Sequence, residues 1–87
     1  MNSDIDWPAI IKKEARGLNG EDFGEVQKVS DSSVITEKGI LDKVYFSIPK
    51  NLVKDYDGDT LMFKITEEEA KNHFLHDPSF SSKEDST

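Results

Sequence analysis

The chain has 87 residues, 18 acidic against 11 basic, for a formal net charge of −7. It contains no cysteine, which excludes disulfides and thiolate metal centres, and no apolar run approaches the ~20 residues of a membrane-spanning helix. Basic residues are scattered apart from Lys12, Lys13 and Arg16, so the acidic field opposes a phosphate backbone and direct nucleic-acid binding is not expected.

The size is that of one small domain. Both ends, MNSD and SSKEDST, are polar and free of large apolar groups. The expected division is a flexible N-terminus over 1–5, a single domain over 6–76 and a flexible acidic, serine-rich tail over 77–87. About 70 residues then remain to bury a core, near the lower limit for folding without staples. The N-terminus lacks the basic-then-apolar layout of a secretory signal, and a soluble cytoplasmic protein is the expectation.

The first predicted element is a short helix. Asp6 stands before WPAII as a cap, with Pro8 tolerated in the first turn. Ile5 and Ile10 have hydrophobic-staple spacing, and Trp7, Ile10 and Ile11 share one side. Glu14 to Leu18 reads as extended. Asn19-Gly20 is then a strong two-residue hairpin signal, because both residues accept positive φ.

GEVQKV, the polar turn SDSS and the β-branched VITEK follow as strand, turn and strand, broken by Gly39. KVYFSI sets Val44, Phe46 and Ile48 on one face and Tyr45 and Ser47 on the other. Pro49 ends that strand, having no N–H for a ladder. LVKDY leads into Asp57-Gly58, and DTLMFKIT leads out with Leu61, Phe63 and Ile65 alternating. Short strands between regularly recurring turns indicate an all-β sandwich or barrel. Thr66 and Glu69 form a capping box for a final helix, EEEAKNHFLH, stopped by Asp77-Pro78.

Few residues invite chemistry. KDYDGDT suggests a calcium loop, but an EF-hand requires Gly at position 6 and a bidentate Glu at 12. Counted from Asp55, Gly58 falls at 4 and Thr66 at 12; counted from Asp57, position 6 is Met62 and only Glu68 at 12 conforms. Asp57-Gly58 as a turn with soluble flanking acids explains more. Asp22-Phe23-Gly24 spells a kinase magnesium motif without a kinase around it. Phe23 is better taken as core and Gly24 as a special backbone position.

Glu69, His73 and His76 stand at i, i+4 and i+7 on the last helix, a reasonable zinc set. Solvated polar residues opposite Ala70 and Phe74 produce the same pattern. No nucleophile elbow or activated serine is recognisable, so no enzyme activity and no cofactor is expected.

The apolar pair Ile40-Leu41 is the least explained feature. Placed in a loop after Gly39, it either folds over the end of the sheet, the ordinary outcome, or meets a partner. Tyr45 and Tyr56 pose the same question, since tyrosine on an outer strand face suits an interface.

NGEDFGEVQKV, SVITEKG, YFSIPKNLV and YDGDTLMFKITEEEA, in this order, resemble the PRC-barrel family, most of all its small stand-alone bacterial and archaeal members. The resemblance covers residues 7–74 and rests chiefly on Gly20, Gly24, Ile48-Pro49 and Asp57-Gly58. It implies a small, strongly bent β-barrel with a short N-terminal and a C-terminal helix. Gly20 and Gly24 would serve the first hairpin, and Gly39, Pro49 and Gly58 the later corners. It implies no catalysis. Family settings include the cytoplasmic subunit of the photosynthetic reaction centre, a ribosome-maturation factor that binds a ribosomal protein, and archaeal cell-division proteins that bind each other.

The functional expectation is therefore a protein-interaction module. Ile40, Leu41, Tyr45 and Tyr56 are its candidate partner-binding residues, and a homodimer through strand edges or outer-face aromatics is one form of it. The alternatives are a zinc protein using Glu69, His73 and His76, and an accessory factor in ribosome or RNA maturation or in cell division that acts through protein contacts.

Overall fold

Short alternating segments in this chain become strands because each has one apolar face to hide. The computed structural model describes residues 5–76; the expectations for 1–4 and for the tail 77–87 lie outside the described residues. Strands β1 (Glu14–Arg16), β2 (Asp22–Val29), β3 (Ser33–Lys38), β4 (Val44–Pro49), β5 (Val53–Tyr56), β6 (Thr60–Phe63) and β7 (Leu75–His76) join one helix, α1 (Glu67–His73). The strands make a single mixed sheet in the order β5-β6-β1-β2-β3-β4-β7. All neighbours are antiparallel except β1 and β6, which run parallel with Ala15 opposite Leu61. The chain is thus mostly β with minor α. No helix among the described residues is long and apolar enough to cross a membrane.

The core draws on every strand from β1 to β6: Ala15, Phe23, Val26, Val34, Phe46, Ile48, Val53, Leu61 and Phe63 are fully buried. Ile10 and Ala70 close it from outside the sheet, with Ile65 beside them. Phe23 is central, its ring centroid 5.2 Å from both Phe46 and Phe63 in tilted contacts. Full burial of side chains of this size stabilises by about 1.5–3 kcal/mol each.

Strict alternation fails in β2, where the buried Phe23 and Val26 stand three apart. Gly24 carries the irregularity. Its φ is +86°, its N–H is satisfied by the Asp22 carboxylate at 2.8 Å, and a Cβ there would overlap the Glu37 carbonyl. The β1–β2, β2–β3 and β5–β6 pairings each contain a register shift, and such bulges bend strands and increase their twist.

Several local expectations are corrected. The first helix is one 3₁₀ turn, Trp7–Ile10, and the Asp6 side chain makes no capping bond. Ile5 and Trp7 pack partly against the core, so Ile5 does not belong to an uncommitted end, whereas Ile11 faces solvent. The first hairpin is not a two-residue turn. Gly17 N–H bonds Glu21 O at 2.9 Å and Gly20 N–H bonds Gly17 O at 3.0 Å, and Gly20 alone takes positive φ while Asn19 does not. This is a three-residue loop of the bulge type.

The last helix is also shorter than expected. Its capping box forms as read, Thr66 Oγ1 accepting Glu69 N–H at 3.1 Å and the Glu69 carboxylate accepting Thr66 N–H at 2.9 Å. Phe74 then leaves helical geometry, and Leu75-His76 pair with Phe46 and Tyr45 as β7. An open edge on β4 offers these residues more hydrogen bonds than a fraying last turn.

Two substitutions check this account. Thr36 is fully buried on β3 and its hydroxyl has no hydrogen-bond partner among the described residues, a desolvation cost that an isosteric apolar group avoids. Thr36→Val should raise the denaturant midpoint, by about 1 kcal/mol of stability. Gly24→Ala should lower stability by more than ~2 kcal/mol, since it adds a steric overlap to an unfavourable φ. Equilibrium urea unfolding reads both.

Candidate functional site

The β3–β4 connection is short, and its backbone is tight at the start. Gly39 has φ +101°, and a Cβ there would lie 2.8 Å from the Asp42 carbonyl oxygen. That turn sends the next two side chains outward. Ile40 is 87% and Leu41 92% exposed, the most exposed of the large hydrophobics among the described residues. The ordinary outcome, a loop folded over the sheet, is not what the structure contains.

Ion pairs brace the base of this loop on both sides. Lys38 Nζ lies 2.5 Å from the Glu67 carboxylate at the start of α1, and Lys43 Nζ lies 3.1 Å from Glu37. Tyr45 is directly opposite Glu37 across the β3–β4 ladder, and its hydroxyl donates to the Glu37 carboxylate at 2.8 Å. Tyr45 is half-buried on the outer face, as the strand alternation required.

Charge follows geometry here. The Tyr45 hydroxyl, and then Lys43, hold the Glu37 carboxyl below the ordinary glutamate range. Glu37 in return raises both the Lys43 ammonium and the Tyr45 phenol above their usual values.

Ile40, Leu41 and Tyr45 therefore belong to one loop and the strand that leaves it. Tyr56 does not join them. It lies on β5, at the other end of the strand order, where it packs against the core and donates its hydroxyl to Gly58 O at 3.0 Å and Ala9 O at 3.4 Å. Reading it as an outer-face residue is corrected by that inward packing.

Gly20, Gly24, Gly39 and Gly58 all have positive φ, and Pro49 is the last residue of β4. Asp57 is the acceptor of its turn rather than a positive-φ residue: its carboxylate takes the N–H groups of Asp59 at 2.9 Å and Thr60 at 2.8 Å. Those bonds lower its pKa.

Glu69, His73 and His76 are not assembled. Glu69 is engaged in the capping box, His73 ends α1, and His76 sits on β7 opposite Tyr45. Among the described residues no group of three His, Asp or Glu side chains is placed to hold a metal ion.

Sequence reading missed an open groove of about 660 Å³ beside the loop, where Gly39 and Glu37 meet Glu14, Asp22, Glu25 and Asp59 with Lys12 and Lys13 among them. Its lining comes from many separate segments, and no linear motif marks it. The groove is polar and open to solvent, unlike the water-excluding pockets of most small-molecule sites.

In comparisons with known proteins, the chain matches no family model and no curated sequence.

The Glu37 cluster yields a titration test. Because the folded pKa of Glu37 is lowered, its stabilisation is present above the ordinary glutamate value and is lost as pH falls from there through the lowered one. Because those of Tyr45 and Lys43 are raised, their share is present below the ordinary phenol and amine values and is lost as pH rises through the raised ones. Glu37→Gln should return the Tyr45 phenol toward its ordinary value, as followed by ultraviolet titration against Tyr45→Phe to separate Tyr56.

Proposed function

We propose that this chain is a non-catalytic protein-interaction module, acting in the cytoplasm and built on a small bent β-barrel of the PRC-barrel type. Its docking element is the β3–β4 loop. One observation carries the reading: two adjacent large aliphatics are held almost wholly in water by a loop whose base is braced. Large apolar side chains exposed side by side, with polar residues around them, mark interaction sites on soluble proteins. Tyr45 adds an aromatic flank of the kind enriched at such surfaces.

The barrel part of the proposal draws support from the core. Inward side chains of six strands converge on one cluster with a single two-turn helix beside it. One sheet lacking a full second layer hides its inner face by wrapping around it. The register shifts at three of its strand pairs supply the bending that such wrapping needs.

Leu41→Asp tests the docking role. It should leave the thermal midpoint almost unchanged, because the side chain contributes nothing to the core, and should abolish retention of whichever cellular proteins the wild type captures. An unchanged captured set would overturn the assignment of this loop. Self-association is read separately: sedimentation of the wild type as a monomer throughout the micromolar range would remove the homodimer form.

A further inference from the structure

The sheet carries a row of like charges across its outer face. Glu14 on β1 stands directly opposite Glu25 on β2, Glu25 opposite Glu37 on β3, and Glu37 opposite Tyr45 on β4. Residues directly opposite in neighbouring strands share a face with Cβ atoms about 5 Å apart, and like charges so placed are destabilising. The outer two glutamates have cations of their own, Arg16 for Glu14 and Lys43 for Glu37. Glu25, between them, is exposed, and its carboxylate has no hydrogen bond or ion pair among the described residues.

The row lines the open groove, and the groove meets the exposed tip. Its lining sets five carboxylates, the three of the row among them, against two lysine ammonium groups. Gly39 lines it too, and the same residue begins the turn that puts Ile40 and Leu41 in water. Adjacent strands lie about 4.8 Å apart, so the three glutamates spread over about 10 Å. They do not converge on a point: among the described residues no group of three His, Asp or Glu side chains is placed to hold a metal ion. Carboxylates drawn out in a line that ends at an aliphatic tip are complementary to an extended cationic chain rather than to a single ion. A second copy would bring the same acidic row and a further net charge of −7, so charge selects against self-docking on this face.

We propose that the groove and the tip together receive an extended, basic segment of another protein, with its Lys or Arg side chains over the glutamate row and a large aliphatic side chain against Ile40 and Leu41. The inference rests on the docking role proposed for the loop and names the chemistry of what docks there. Glu25 is the centre of its electrostatic half, because it is the rung that no cation of this chain neutralises. A bound Lys or Arg at that point faces three carboxylates and relieves the repulsion between them.

Fluorescence anisotropy of short labelled peptides with the full chain tests this, using alternating Lys and Leu, alternating Lys and Ser, and alternating Glu and Leu. The Lys–Leu peptide should bind with an affinity that falls as salt rises, the Lys–Ser peptide several-fold more weakly, and the Glu–Leu peptide not at all. Glu25→Lys should weaken Lys–Leu binding several-fold while raising the urea midpoint, since it places a cation between Glu14 and Glu37. Asp31→Lys, in the exposed β2–β3 turn at the far end of that hairpin, makes the same change in net charge and should weaken binding much less. Equal losses in the two variants would reduce the effect to overall charge and overturn the proposal, as would a Glu–Leu peptide that binds as well as Lys–Leu. A lowered urea midpoint in Glu25→Lys would mark that residue as structural and overturn it too. Were Leu41→Asp to leave Lys–Leu binding intact while Glu25→Lys abolished it, the docking role of the tip would fail and the acidic groove would stand; the reverse result would keep the tip and remove the groove.

Discussion

One aromatic contact organises this molecule: Phe23, wedged between Phe46 and Phe63. The three rings come from β2, β4 and β6, so a single cluster ties together strands from most of the sheet. Phe23 can occupy that position only because its neighbourhood has been hollowed out. A Cβ on Gly17 would fall 2.6 Å from the Phe23 ring, and Gly24 supplies the backbone kink that returns β2 to register after the ring has turned inward. In a domain with so few buried residues, the largest side chains carry a disproportionate share of the stabilisation.

The same kink sets the location of the candidate site. Gly24 lets β2 and the Glu37 carbonyl approach more closely than any side chain would permit. Glu37 is thereby fixed on β3, where its carboxylate collects the Tyr45 hydroxyl and the Lys43 ammonium. On the other flank, Glu67 joins Lys38 to α1, while the Glu67 N–H donates to Glu21 at 3.2 Å and so connects the helix to the first hairpin. Individual surface ion pairs contribute little. Here they tie the loop base to α1 and across the β3–β4 ladder, beneath a tip that leaves Ile40 and Leu41 in water.

How much of this was legible in the sequence depended on how local the signal was. The strands of alternating burial, Val44-Phe46-Ile48 and Leu61-Phe63, were readable because their neighbours in sequence share the same physics, although the second stops at Phe63 and leaves Ile65 in a bend. The capping box was readable for the same reason. The parallel pairing of β1 with β6 was not, because nothing in Glu14–Arg16 refers to Thr60–Met62. The end of α1 was missed because β4 outcompeted helical continuation for Leu75 and His76, a decision taken by a partner far away in the chain. Tyr56 was misread because β5 contains a register irregularity that turns the ring inward, whereas Tyr45 on the regular β4 came out as alternation required. For Ile40 and Leu41 the sequence posed the right question, and only the braced loop base answers it.

The placement of β1 also constrains the order in which the molecule can be completed. This three-residue strand bridges β2 on one side and β6 on the other, so the β5–β6 end of the sheet hangs on the pairing of two segments that lie far apart in the chain. A growing polypeptide can zip β2, β3 and β4 together by nearest-neighbour hairpins as they emerge, but β1 must wait, half-paired, until Thr60–Met62 have been synthesised. Closing that long circuit is entropically slow compared with local pairing. The early hairpin at Gly17–Gly20 acts as a clasp that keeps the waiting strand from straying.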